Sequence, residues 1–263
     1  MASGGWVLET AVRVIAAGSR PTPSAAAAIR ARTSANRAEM DDGDEAGDEG
    51  GMILSADARI LWETAQGLDR AAAGVSPTRP LPPLLFFTDP ERTPRPWETA
   101  ARLPAGAAVV YRHFGAADAE AVALRLRDVT TEHGVALLIG LDAALAETVG
   151  ADGVHLPERA VSLAHELSAQ YPDWLLTGAV HSVAAAEAAR GLHALVLSPV
   201  FPAGGVSAEK PALGVDALRS AVRAASTPVY ALGGINAGNA NRLIGSGACG
   251  LAGVDAIQRA FGD

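Results

Sequence analysis

The sequence predicts an α/β fold: a single (β/α)8 barrel of the TIM type carrying an N-terminal, partly disordered extension. Three observations support this. From Leu84 onward, short apolar runs alternate with stretches of helical periodicity, the pattern of parallel strands joined by right-handed crossovers. Eight such units follow in order, at about 23 residues each, which is the count that closes a barrel. No GxGxxG follows the first run, which argues against an open doubly wound sheet, the other arrangement that alternation allows.

The elements read as follows. Residues 1–51 form an extension that is disordered or doubtful. Residues 1–40 carry five Arg and two Glu, and residues 41–51 (DDGDEAGDEGG) carry six acids and no base. Such a run repels itself and has nothing apolar to bury. Val7 to Ala17 fits a short helix, and residues 19–39 fit a flexible tail. An Arg- and Ser-rich start also fits an organelle transit peptide, although the acidic run and Glu9 oppose it; the preferred reading is an extension with Met52 as the initiator. Residues 52–78 hold an amphipathic helix, over 53–73, and a Pro-rich linker, Pro77 to Pro83. Ile53, Ile60, Leu61, Trp62 and Leu68 would lie on or near one face, and Ser55 would cap it. Residues 79–263 make the barrel. Its strands are predicted at 84–88, 107–112, 135–139, 153–156, 174–179, 194–197, 229–232 and 250–254. Its helices are predicted at 97–102, 116–133, 142–149, 158–169, 183–190, 215–225, 238–246 and 255–261.

Composition narrows the function. A net charge of −8 argues against a general nucleic-acid binder, and no apolar run approaches the roughly 20 residues that span a bilayer. A single cysteine excludes a disulfide framework and any multi-cysteine metal site. Cys249 reads as packing. The expectation is a cytoplasmic protein with a small-molecule partner, neither nucleic acid nor membrane.

In a barrel of this kind the chemistry sits just past the C-terminal ends of the strands. Gly233 and Gly234, after the seventh run, either let main-chain N–H groups approach a phosphate or simply make a tight turn. Val254 and Asp255, where the last helix begins, complete the expected phosphate site; Asp255 reads as a cap with its side chain turned away, since a carboxylate there would repel the ligand. His181, at the end of the fifth run, is either an acid/base group or a hydrogen-bonded structural histidine. His155, followed by Leu-Pro, reads as loop support. Arg112 and His113 follow the second run, Arg112 as an anion clamp or an ion-paired rim residue. Lys210, alone among 20 Arg, lies in the longest strand-to-helix loop with Ser207. No acid or histidine spacing suits a metal; Asp142 and Glu158 read as caps or first-turn acids.

The stretches ADGVHL (151–156), GAVHS (178–182), SPVFP (198–202), ALGGIN (231–236) and GACGLAGVDAI (247–257) resemble the thiamine phosphate synthase/TenI superfamily, in order and spacing, over about 84–263. The resemblance implies a (β/α)8 barrel working in thiamine biosynthesis on a thiazole phosphate, often as a homodimer. Synthase members join the thiazole to a pyrimidine diphosphate and release pyrophosphate with Mg²⁺. TenI members are implied to be thiazole tautomerases, with the histidine matching His181 moving the proton.

The departures fall on the diphosphate half. Val110, Tyr111, Arg112, His113 and Phe114 stand where synthases carry Gln-Leu-Arg-Glu-Lys, so only the Arg is kept. Gly140 and Leu141 stand in place of Asn-Asp, Ala160 in place of a second Mg²⁺-binding Asp, and Ala179 in place of a Ser. Ala203 to Val206 replace Thr-x-Thr-Lys, leaving Ser207 and Lys210 as stand-ins. A diphosphate leaving group needs cations. The sequence therefore favours a TenI-like isomerase using His181, with no cofactor. A divergent synthase using Mg²⁺ is the first alternative and a non-catalytic phosphate-ligand barrel the second.

Overall fold

The computed structural model describes residues 54–73, 80–204 and 211–262. Expectations for residues 1–51, Ile53, residues 77–79, Ser207 and Lys210 lie outside them. Helix α1 (Ala56–Ala73) precedes the barrel. Then come β1 (Leu84–Phe87), α2 (Pro96–Ala100), β2 (Ala108–Tyr111), α3 (Ala119–Glu132), β3 (Ala136–Gly140) and α4 (Ala143–Thr148). β4 (Gly153–Leu156) leads into a 3-10 turn (Glu158–Leu163) and α5 (Ala164–Gln170). β5 (Leu175–Val180), α6 (Val183–Ala188), β6 (Ala194–Leu197) and α7 (Gly214–Ala224) follow. β7 (Val229–Leu232), a 3-10 turn (Ala240–Leu243), β8 (Leu251–Gly253) and α8 (Asp255–Phe261) complete the chain.

The strands form one closed barrel in sequence order, each parallel to its neighbours, with β1 pairing β8 from Leu84–Leu251 to Phe86–Gly253. Strand residues alternate between two cores, as the period of a pleated strand requires. Leu85, Phe87, Val110, Leu138, Val196 and Tyr230 fill the inside. Leu84, Phe86, Val109, Leu137, Ile139 and Leu176 pack outward under the helices. The Tyr230 hydroxyl donates to Pro82 O at 2.6 Å, where the chain enters β1. Cys249 is buried beside it as packing, and burial pushes its thiol well up.

Helix α1 buries Ala58, Leu61, Ala65, Leu68 and Ala72, a stripe at three- and four-residue spacing. The expected face was broader. Ile60 is 40% exposed, because it sits a third of a turn from Leu61, and Trp62 is half-buried. Alanines do the packing the larger residues were expected to do. Ser55 caps the helix, accepting from Ala58 N at 3.1 Å, and its hydroxyl donates to Ala260 O of α8 at 2.9 Å.

The predicted helix at 238–246 is only the 3-10 turn. Asn236 Oδ1 accepts from Gly238 N, and Asn239 Oδ1 from Asn236 N, both at 2.9 Å. These local side-chain bonds compete with helical ones. Helix α1 packs over that turn and over α8, β8 and β1, covering the barrel where a full helix is lacking. The predicted helix at 158–169 is split into a 3-10 turn and α5. Elsewhere the boundaries differ from expectation by at most three residues.

At the base of the barrel, Arg127 and Asp152 form a nearly buried ion pair at 2.8 Å. Asp152 Oδ2 also accepts from Leu137 N at 2.8 Å, and Arg127 donates to Gly150 O and Thr131 Oγ1. The pair thus ties α3 to β3 and to the entry of β4. Removing one partner leaves a buried charge without compensation. Asp152→Ala is expected to lower the unfolding free energy by about 3 kcal/mol. Asp216→Ala, which breaks an exposed pair with Arg219, should leave the urea midpoint unchanged. Equal shifts in the two variants would contradict this account.

Candidate active site

The open rim is formed by residues just beyond the strand ends. At β1 and β2, Arg112 donates from Nε to Thr88 O at 2.7 Å, and its own N–H donates to Thr88 Oγ1 at 2.9 Å. Its guanidinium lies 5.4 Å from the ring centres of both Phe87 and Phe114. Its Nη2 is buried without a hydrogen-bond partner and stands 3.8 Å from Asp89 Oδ2. Burial pulls the Arg112 pKa down to about 10; the Asp89 charge opposes that shift and the Arg92 charge adds to it. It remains a cation at neutral pH. Arg112 is thus held on the rim by ion pairing and backbone contacts, the second of the two roles expected of it.

Sequence reasoning missed Arg92. It bridges Asp89 and Asp255, each at 3.1 Å. Burial acts to raise the Asp89 carboxyl, but the hydrogen bonds and charge of Arg92 outweigh it and hold it below its ordinary value. The signal was local: Asp89 and Arg92 stand three apart in a turn closed by Thr93 N donating to Asp89 O at 2.8 Å. Asp255 is the first residue of α8 rather than its cap, which is Val254. Its carboxylate turns to Arg92, so its charge is offset rather than simply aimed away.

His113 was expected to meet substrate, but it is engaged within its own loop. Nδ1 accepts from Gly115 N at 3.0 Å, and Nε2 lies 3.5 Å from Asp142 Oδ2. Asp142 in turn caps α4 through Leu145 N at 2.9 Å, and the His113 contact is the main reason its carboxyl sits below the ordinary value.

At β5 and β6, His181 Nδ1 lies 2.8 Å from the Ser198 carbonyl oxygen and 3.2 Å from Ser198 Oγ. Glu158 Oε2 accepts from the His181 backbone N–H at 2.7 Å. A carbonyl can only accept, so Nδ1 carries a proton, and in the neutral ring the lone pair is on Nε2. Pro199 links this histidine to the glycine loop. A Cβ on Gly233 would lie 2.7 Å from Pro199 Cα, and one on Gly234 would lie 2.3 Å from Pro202 O. Both glycines also have positive φ, +100° and +65°. Close packing and backbone conformation together demand glycine here. Among the described residues, the N–H groups of Gly233, Gly234, Val254 and Asp255 have no acceptor.

His155 is buried, with Nδ1 2.9 Å from Thr177 Oγ1 and its ring edge-on to Phe87 at 4.9 Å. It was expected to support the loop after it; it packs instead between strands, against β5 and β1. Burial, helped by the Arg112 charge, pulls its pKa from 6.5 to about 3.

The Mg²⁺ implied for synthases does not fit these residues. Leu141, apolar and half-buried, occupies one Asp position, and Asp142 is committed to His113 and to capping. No group of three or more His, Cys, Asp or Glu gathers among the described residues. No helix there is long and apolar enough to cross a membrane.

The His155 shift has a sign that can be tested. Between pH 6.5 and about 3 the unfolded chain binds a proton that the folded chain refuses, so stability falls as pH drops through that window. His155→Asn is expected to flatten this slope in urea titrations at successive pH values. An unchanged slope would refute the assignment.

Compared with known proteins, residues 84–257 match the family described as thiamine monophosphate synthase (TMP-TENI). The chain is 36% identical over 144 residues to the thiamine-phosphate synthase of Methanoculleus marisnigri, an alignment covering 53% of this chain and 67% of that one. It is 34% identical over 147 residues to that of Geobacillus kaustophilus, covering 55% and 66%. It is also 34% identical over 141 residues to that of Gloeobacter violaceus, covering 53% and 41%. The chain thus spans about two thirds of the first two relatives and less than half of the third. In fold it is similar to the thiamine phosphate pyrophosphorylase of Pyrococcus furiosus (TM-score 0.56, 24% identity, 68% of this chain and 91% of that one). FabK of Thermotoga maritima shares the fold alone (TM-score 0.53, 15% identity, 68% and 59%). These relatives are named for the transferase, set out above as the alternative, and not for the isomerase. With its family match spanning about two thirds of its length, the chain belongs to the thiamine monophosphate synthase/TenI family.

Proposed function

We propose that this barrel is a transferase of thiamine biosynthesis, joining a thiazole phosphate to a pyrimidine diphosphate with release of pyrophosphate. The observation that carries this reading is the matched stretch itself. Residues 84–257, which include every rim loop described above, match the family model, and relatives named as thiamine-phosphate synthases align over 144 and 147 residues of the chain. The geometry supports a division of the rim. The Gly233–Gly234 loop and the start of α8 offer main-chain N–H groups that have no acceptor among the described residues, suited to the thiazole phosphate. Arg112 faces the diphosphate. As the carbon–oxygen bond to the leaving group breaks, negative charge gathers on the departing oxygens. A fixed guanidinium in a partly dry site stabilises that charge without reorganising. Arg92 bridges Asp89 and Asp255 and offsets part of the negative charge that would oppose the anions, and Arg112, 3.8 Å from Asp89, offsets more of it. No step is assigned to Mg²⁺.

The second reading, a thiazole-phosphate isomerase, rests on His181. Its Nδ1 is tied to Ser198 O, which leaves Nε2 to take and return a proton.

The full chain, supplied with both substrates and Mg²⁺, is expected to release pyrophosphate. Arg112→Gln should lower kcat/KM about 100-fold or more. His181→Ala should leave transfer measurable. Loss of tautomerisation in that variant, with no transfer by the unaltered protein, would replace the first reading with the second. Thiazole-phosphate binding without either activity would overturn both.

A further inference from the structure

Just beyond β2 the backbone adopts a conformation that its side chain resists. Phe114 has φ of +48°, in the left-handed region that residues with a Cβ avoid. Phe114 is 70% exposed. Strain and apolar exposure are both unfavourable, yet the loop is fixed on either side. His113 accepts from Gly115 N and reaches Asp142, which is anchored in turn as the cap of α4. Gly115 continues the turn at φ +83°. This clamp holds an aromatic surface on the rim, its ring centre 5.4 Å from the Arg112 guanidinium, whose Nη2 has no hydrogen-bond partner among the described residues and only a 3.8 Å approach to Asp89. A strained, over-determined conformation beside an incompletely satisfied cation points to a ligand-binding role.

We propose that Phe114 is a substrate-binding residue. Its exposed ring stacks on a flat heteroaromatic ring whose anionic substituent reaches Arg112. In the reaction proposed above, on which this inference rests, that substrate is the pyrimidine diphosphate. Stacking positions the ring at the β2 side of the rim, while the anion anchors at the guanidinium.

The test compares unaltered protein with Phe114→Ala, Phe114→Gly and Phe114→Tyr by calorimetric titration. The probes are hydroxymethylpyrimidine diphosphate and inorganic pyrophosphate, which has no ring. Affinity for the pyrimidine diphosphate is expected to fall about tenfold in the Ala and Gly variants and to hold in Tyr. Pyrophosphate should bind all four proteins within about twofold. Phe114→Gly should also unfold at a higher temperature, because glycine accepts the positive φ without strain. Two results would overturn the role: undiminished pyrimidine diphosphate affinity in the Ala and Gly variants, or a parallel loss for both probes, which would make Phe114 only a support for Arg112. Either result leaves the proposed transferase standing. Failure of the unaltered protein to bind any phosphorylated heterocycle would overturn both.

Discussion

Closure of the sheet governs the rest of this molecule. β1 pairs β2 on one side and β8 on the other, so every strand has two parallel neighbours and the barrel has no free edge. Parallel pairing in sequence order puts all eight strand ends on one rim. Residues as distant as Asp89 and Asp255 then meet across the β1–β8 seam, where Arg92 bridges them. The same closure makes the base a purely structural face. There Tyr230 is anchored to Pro82, and the Arg127–Asp152 pair bridges helix and sheet.

Much of the rim's polarity is spent on holding loops. His113, Asp142, Glu158 and Asn239 each bind backbone atoms, and these contacts fix where the remaining groups stand. His181 illustrates the consequence. Ser198 O fixes its tautomer and Glu158 fixes its backbone, so a group that isolated histidine chemistry leaves ambiguous acquires one defined basic nitrogen. Gly233 and Gly234 are constrained by packing against Pro199 and Pro202.

The strands were legible from sequence because each is a short apolar run bounded by turn residues, and the barrel followed from counting them. Position at the strand ends then selected His181, Arg112 and the paired glycines. What escaped was set by tertiary geometry. Arg92 lies three residues past the strand-end filter, in a turn whose fold decides that it reaches Asp255. The use of both His113 nitrogens depends on where Asp142 comes to rest. The 3-10 turn at Ala240–Leu243 was obscured by apolar spacing that local Asn bonds override. The small buried face of α1 was misjudged because large residues drew more weight than alanine at the correct period.

Leu141 sets a side chain against its backbone. It occupies a position where synthases are implied to carry a metal-binding Asp, and its φ is +66°. Asp and Asn tolerate that conformation; a leucine does so at a cost. The turn is nonetheless fixed by hydrogen bonds on both sides, Leu141 N to His155 O at 2.9 Å and Asp142 N to Gly140 O at 2.8 Å. The backbone path therefore suits an Asp or Asn better than the leucine that stands there. Asp142, one residue on, does not stand in for that Asp, because capping α4 and pairing with His113 turn its oxygens elsewhere. At the β1–β2 side of this rim two cations, Arg112 and Arg92, stand beside two acids, Asp89 and Asp255, so their charges are largely balanced before any anion arrives.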